Sequence, residues 1–102
     1  GKEQRASYSA SKFALDGLTL ALAAEHSADG IIANSISPGF IDTALTHHIL
    51  GEEEMQTLAL SVPARRVGQT DEIARFVIWL ASEENTYITG QNISIDGGFS
   101  RV

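Results

Sequence analysis

The chain contains no cysteine in 102 residues. Disulfides, thiolate catalysis, iron–sulfur ligation and cysteine-based zinc sites are therefore all excluded, a usage that fits a reducing compartment. Positive charge is scarce as well: seven Lys and Arg stand against thirteen Asp and Glu, a formal net charge of −6. No basic stripe exists to follow a phosphate backbone, and an acidic surface does not favour anionic membranes. Neither Gly17–Ala24 nor Gly30–Ile41 is long and apolar enough to span a bilayer. The opening GKEQRASYS lacks the apolar stretch of a signal peptide, so a cytoplasmic location is expected. The first residue is not Met, and we expect the true start to lie upstream.

What is present is a soluble α/β composition, 43% apolar and 20% charged, in one domain at most. From about Tyr8 to His26 there is no proline, and Ala and Leu dominate. Leu15, Leu18, Leu22 and the alanines at 14, 21 and 24 cover most of the circumference, which predicts a helix buried on more than one side. His26 is positioned to favour the helix C-terminus, and Asp29-Gly30 stops it. Ile31 to Ile36 reads as a strand closed by Ser37-Pro38-Gly39.

Asp42 or Thr43 caps a short helix to about Ile49, and a second helix follows Gly51, opening on Glu52 to Glu54 and reaching about Leu60. Ser61 to Gln69 reads as loop. Thr70 is the expected cap of a third helix with Ile73, Ala74, Val77, Ile78, Leu80 and Ala81 on its apolar face. Gln91 to Ile95 is the last strand, and Asp96-Gly97-Gly98 carries a hairpin-turn signal with too few residues after it for a return strand. The order of helix, strand, helices and strand suggests parallel pairing with helical crossover.

Tyr8 and Lys12 stand four apart on nearly one helix face. A phenol is a poor base at neutral pH, with an ordinary pKa of about 10, and a neighbouring ammonium favours the phenolate. Such a pair suits general acid–base work. By spacing alone it is more often a helix-surface pair. His47-His48 does not make a metal site, because adjacent helical residues point about 100° apart and no third ligand has fitting spacing. Arg65-Arg66 suits a phosphate but reads more readily as solvated or interfacial, and Trp79 as core or interface.

Taken in order, YSASK at Tyr8–Lys12, SPGF ending the first strand and ITGQNISIDGG near the end resemble the C-terminal part of the short-chain dehydrogenase/reductase family. The likeness runs over essentially the whole chain and is greatest toward the 3-oxoacyl-(acyl-carrier-protein) reductase group. It implies the C-terminal portion of a Rossmann-like, doubly wound parallel sheet, one domain whose glycine-rich half is absent here. Neither TGxxxGxG nor NNAG occurs, and Ser7 is too close to Tyr8 to match the family's catalytic serine.

The resemblance further implies an NAD(P)-dependent oxidoreductase, with NAD or NADP as cofactor and a small carbonyl or alcohol as substrate. Tyr8 then matches the proton donor or acceptor, and Lys12 the residue that holds the nicotinamide ribose. Pro38, Gly39 and Ile41 match backbone that passes the nicotinamide. Thr43 matches a hydroxyl that contacts the carboxamide or phosphate, its other reading being a helix cap alone. Thr43 to Leu60 resembles the mobile substrate lid, with Leu45, Ile49, Met55 and Leu58 as apolar candidates. A homodimer or homotetramer is expected, with neither nucleic acid nor membrane as partner. The alternative is a truncated, non-catalytic chain serving as an oligomer-interface or interaction module. Dehydration or epimerisation by the same Tyr-Lys pair is disfavoured by the ITGQNISIDGG tail.

Overall fold

In a computed structural model the described residues are 5–101. Residues 1–4, part of the segment read for a targeting signal, lie outside them. The described residues fall into two compact units. One runs through Ser35 and includes Thr86–Ile93; the other comprises Ile36–Asn85 and the segment from Ser94 on. Among the described residues no helix is long and apolar enough to cross a membrane.

The first unit is built on helix α1, Ala6–His26. A 3₁₀ turn, Ser27–Asp29, follows it and ends at Gly30, at φ 81° in the left-handed region that glycine enters without a Cβ penalty, and the Ile31 N–H donates to the His26 carbonyl. Only Thr19 and Ala23 of α1 are buried. Leu15, Leu18 and Leu22 are exposed, as are Phe13 and Leu20, so the expected burial on several sides is corrected. Burial needs an opposing apolar surface, and what meets α1 closely in this unit is Gly90, where an added Cβ would lie 3.2 Å from that of Ala23.

The strand expected over Ile31 to Ile36 is β1, Ser35–Pro38, four residues later. Residues 31–34 are occupied otherwise: Ile31 closes the helix terminus, and the Ala33 N–H donates to Thr89 Oγ1. Asn34 donates from Nδ2 to the Ile88 carbonyl and accepts the Gln91 N–H. The last strand is β4, Asn92–Ile95, next to β1. Ser35 N–H donates to Gln91 O in the first unit, and Gly39 N–H donates to Ile95 O in the second. Both strands advance four residues between these bonds, so the pair runs parallel, as expected.

In the second unit β2, Ile41–Asp42, pairs in parallel with β3, Gly68–Gln69. The segment read as loop from Ser61 to Gln69 thus contains a strand. Helix α2, Ala44–Ser61, is interrupted at Gly51, whose φ of 69° and ψ of 173° are not helical. This is the predicted break between two helical segments.

Helix α3 spans Thr70–Leu80, and its cap is Gln69, one residue before the expected Thr70. The Glu72 side chain accepts the Gln69 N–H while Gln69 satisfies the other half of a capping box. The inward stripe of α3 is Ile73, Phe76 and Leu80, which are half-buried, whereas Val77, Ile78 and Ala81 are exposed. Trp79 stacks on Phe76 with ring centroids 6.2 Å apart. Met55 and Val62 are the buried apolar side chains of this unit.

Among the described residues no return strand follows β4. The Asp96 carboxylate accepts the Gly98 and Ser100 N–H groups and turns the chain into a short 3₁₀ helix, Phe99–Arg101. Phe99 packs edge-on against Phe40 at 4.8 Å.

Candidate functional site

Two groups of the predicted site residues come together locally, one in each unit. In the first, Tyr8 and Lys12 lie one turn apart on α1, and the Lys12 ammonium sits 5.4 Å from the centre of the Tyr8 ring. That is within reach of the electron-rich ring face. The Arg5 guanidinium lies 6.0 Å from the same ring, and Tyr8 is 55% exposed. No carboxylate pairs with Lys12 among the described residues. The pair thus sets a solvent-exposed phenol and an ammonium together on one face of α1.

The helix bearing this pair is fastened one turn beyond Lys12. Asp16 Oδ1 accepts a hydrogen bond from Asn92 Nδ2 at 2.7 Å and another from Ser35 Oγ at 3.2 Å. These bonds join α1 to the starts of β1 and β4. Asp16 carries no motif of its own, and its separation from Asn92 in sequence hid the role.

In the second unit Pro38, Gly39, Ile41 and Thr43 cluster where the chain leaves β1, passes β2 and enters α2. Gly39 has a structural reason of its own, besides the expected approach of a ligand. A Cβ there would lie 2.7 Å from both Cα and Cβ of Asp96. Thr43 is the helix cap, its Oγ1 accepting the Thr46 N–H at 3.1 Å. Asp42, the other candidate cap, instead faces His47, with Oδ1 2.6 Å from Nε2.

Hydroxyl protons in this corner can be assigned. Thr46 Oγ1 donates to the Ile41 carbonyl at 2.8 Å, which uses its single proton. Thr43 Oγ1 lies 2.8 Å from Thr46 Oγ1 and must be the donor in that bond. Having also accepted the Thr46 N–H, Thr43 retains one lone pair and no proton. An amide N–H₂ fits that lone pair, whereas a phosphate oxygen does not. The chemistry of the corner therefore suits a carboxamide.

Elsewhere in this unit a cavity of about 70 Å³ is bordered by Ile41, Ile73 and Ile95, with Arg66 and Glu72 at its edge. It is far smaller than a typical ligand cleft of about 300 Å³ or more. A more open cleft of about 360 Å³ runs between Met55, Gln56 and Ala59 and the Arg65–Gln69 segment. Arg66 makes two bonds to Glu72, at 2.7 and 2.8 Å. This hydrogen bonding, joined by the Gln69 N–H, lowers the Glu72 pKa to about 2. Arg65 donates to the Leu60 carbonyl at the end of α2. Of the lid candidates Leu45 and Ile49 are exposed, Leu58 is half-buried and Met55 is buried. No cluster of metal-ligating side chains occurs among the described residues.

A family profile described as enoyl-(acyl-carrier-protein) reductase matches residues 1–100. The 3-oxoacyl-(acyl-carrier-protein) reductase of Vibrio cholerae is 41% identical over 102 residues, all of this chain and 41% of that protein. The structure of a short-chain dehydrogenase family protein from Francisella tularensis superposes with a TM-score of 0.89 at 30% identity, covering 98% of this chain and 46% of the other. A structure described as a 2-deoxy-D-gluconate 3-dehydrogenase from Agrobacterium tumefaciens with bound NADP gives 0.83 at 35% identity, covering 92% and 39%. The chain spans about two fifths of the length of the curated relatives it matches. Its parallel α/β architecture is a portion of the Rossmann-like fold those structures share. The chain belongs to the short-chain dehydrogenase/reductase family.

Proposed function

We propose that the protein bearing this chain is an NAD(P)-dependent oxidoreductase that interconverts a carbonyl compound and the corresponding secondary alcohol. The observation that carries the reading is the exposed Tyr8 phenol with the Lys12 ammonium 5.4 Å from its ring. When bound, the nicotinamide supplies or accepts the hydride. Tyr8 supplies the matching proton to the carbonyl oxygen, or removes it from the alcohol in the reverse direction. Lys12 presents three N–H donors to the ribose hydroxyls and keeps positive charge beside the phenol. Pro38 and Gly39 shape the turn that passes the nicotinamide, Ile41 faces its carboxamide through the backbone, and Thr43 accepts from the carboxamide N–H₂. Asp16 holds α1, and with it the Tyr-Lys pair, against the strand starts.

The name of the Vibrio cholerae relative supports a 3-oxoacyl thioester as substrate class. The profile's description names an enoyl substrate instead. A phenol acting on an oxygen fits the ketone better, since a carbonyl oxygen gains a proton as the alcohol forms. Tyr8→Phe in the natural polypeptide is expected to lower turnover of a 3-oxoacyl thioester by at least about 100-fold, the lower end of general acid–base contributions. Dinucleotide affinity should change little. Retained turnover would overturn the assignment.

The second reading, an interaction module, rests on a separate observation. Phe13, Leu18 and Leu20 of α1 are exposed by more than half. That reading makes the chain a non-catalytic interface or interaction module, the alternative to the oxidoreductase.

A further inference from the structure

The Ile41–Thr46 corner contains a residue that no motif singles out. Thr46 is half-buried one turn into α2, with both its backbone N–H and its hydroxyl directed back toward the chain entering the helix. Its hydroxyl proton is spent on the Ile41 carbonyl, which obliges Thr43 to donate to Thr46 rather than outward. The order of donation is thus Thr43 to Thr46 to Ile41, and it fixes the outward face of the Thr43 hydroxyl as an acceptor.

We infer that Thr46 is a positioning residue for cofactor specificity: by holding the Thr43 hydroxyl as an acceptor, it selects a nicotinamide carboxamide, which brings N–H donors, over a ring substituent that offers a carbonyl alone. The inference rests on the oxidoreductase reading above. Without the Thr46 hydroxyl, Thr43 Oγ1 still accepts the Thr46 N–H, but its own proton is released. The hydroxyl then rotates and serves donor or acceptor alike, so the selection disappears.

The test measures direct binding by calorimetry, with the natural polypeptide bearing these residues and no substrate present. The probes are the nicotinamide dinucleotide and its 3-acetylpyridine analogue, which replaces the amide N–H₂ by a methyl group, both in the phosphorylation form the protein takes. The native protein should prefer the amide by about fivefold or more, the worth of one neutral hydrogen bond. Thr46→Val and Thr46→Ala should bring that preference to about twofold or less, and Thr46→Ser should keep it. A destabilised helix alone would weaken both ligands together and leave the ratio unchanged. A native ratio near one overturns the inference, as does an unchanged ratio in the Val and Ala variants. Native protein that binds neither dinucleotide overturns the oxidoreductase reading itself, and this inference with it.

Discussion

At the scale of single residues, Gly39 separates two explanations for a glycine at a strand end. A ligand passing close by would require its absent side chain only when the ligand is bound. Contact with Asp96 requires it in the folded chain itself, because the obstructing atoms include backbone. Gly39→Ala is therefore expected to destabilise the fold by about 1–3 kcal/mol, the usual cost of overpacking. Denaturant unfolding with no cofactor present is the measurement. An unchanged midpoint would return the glycine to the ligand alone. Asp96 adds weight to the structural reading, since its carboxylate organises the turn that follows β4.

Tyr8 and Lys12 were legible at this scale because helical spacing fixes which face two residues share. Asp16, Asp96 and Thr46 were not legible. Their partners are set by where the backbone travels, and a hydroxyl or carboxylate within a helix or turn has many possible partners before that path exists. The Thr46 proton could be assigned only once the Ile41 carbonyl lay 2.8 Å away.

Among the elements, composition located helices better than strands. The break at Gly51 and the stop at Gly30 were readable because both glycines take positive φ. The first strand was displaced because Ile31 and Ile32 have strand-like side chains, while the Ile31 N–H serves the helix terminus and the Ala33 N–H donates to Thr89. In β3 two residues leave no periodicity to detect, and pairing with Ile41 and Asp42 alone defines the strand.

The start of α3 carries a pH prediction. Arg66 holds the Glu72 carboxylate, which in turn accepts the Gln69 N–H, and its pKa is lowered to about 2. A depressed carboxyl stabilises the fold above its unfolded value and loses that contribution as pH falls through the folded value. The Glu72 contribution should therefore be complete above about pH 4.5 and fade toward about pH 2. Glu72→Gln should remove this part of the acid dependence while leaving other carboxylates to titrate. A carboxyl titration followed by NMR, with Glu72 at an ordinary value, would contradict the arrangement.

For the whole molecule, the governing fact is how much apolar surface the chain leaves to solvent. Phe13 is 74% exposed and Ile78 69%, the one on α1 and the other on α3. Scattered exposed apolar residues are ordinary, but Phe13, Leu18 and Leu20 on a single helix are a concentration that water does not favour. Burying a side chain of this size contributes about 1.5–3 kcal/mol. Covering several at once offsets the entropy of association. The 102-residue chain alone is therefore expected to associate with itself or with longer subunits of its family. Sedimentation velocity across a range of concentrations would show this as a rising average mass. Replacing Phe13 and Leu20 by Gln should shift the distribution toward 10.9 kDa. A monodisperse monomer of the unaltered chain would mean that these side chains find cover within it. The interaction reading would then lose its support, while the Tyr8–Lys12 reading would stand, because the proposed role of that pair does not depend on what α1 covers elsewhere.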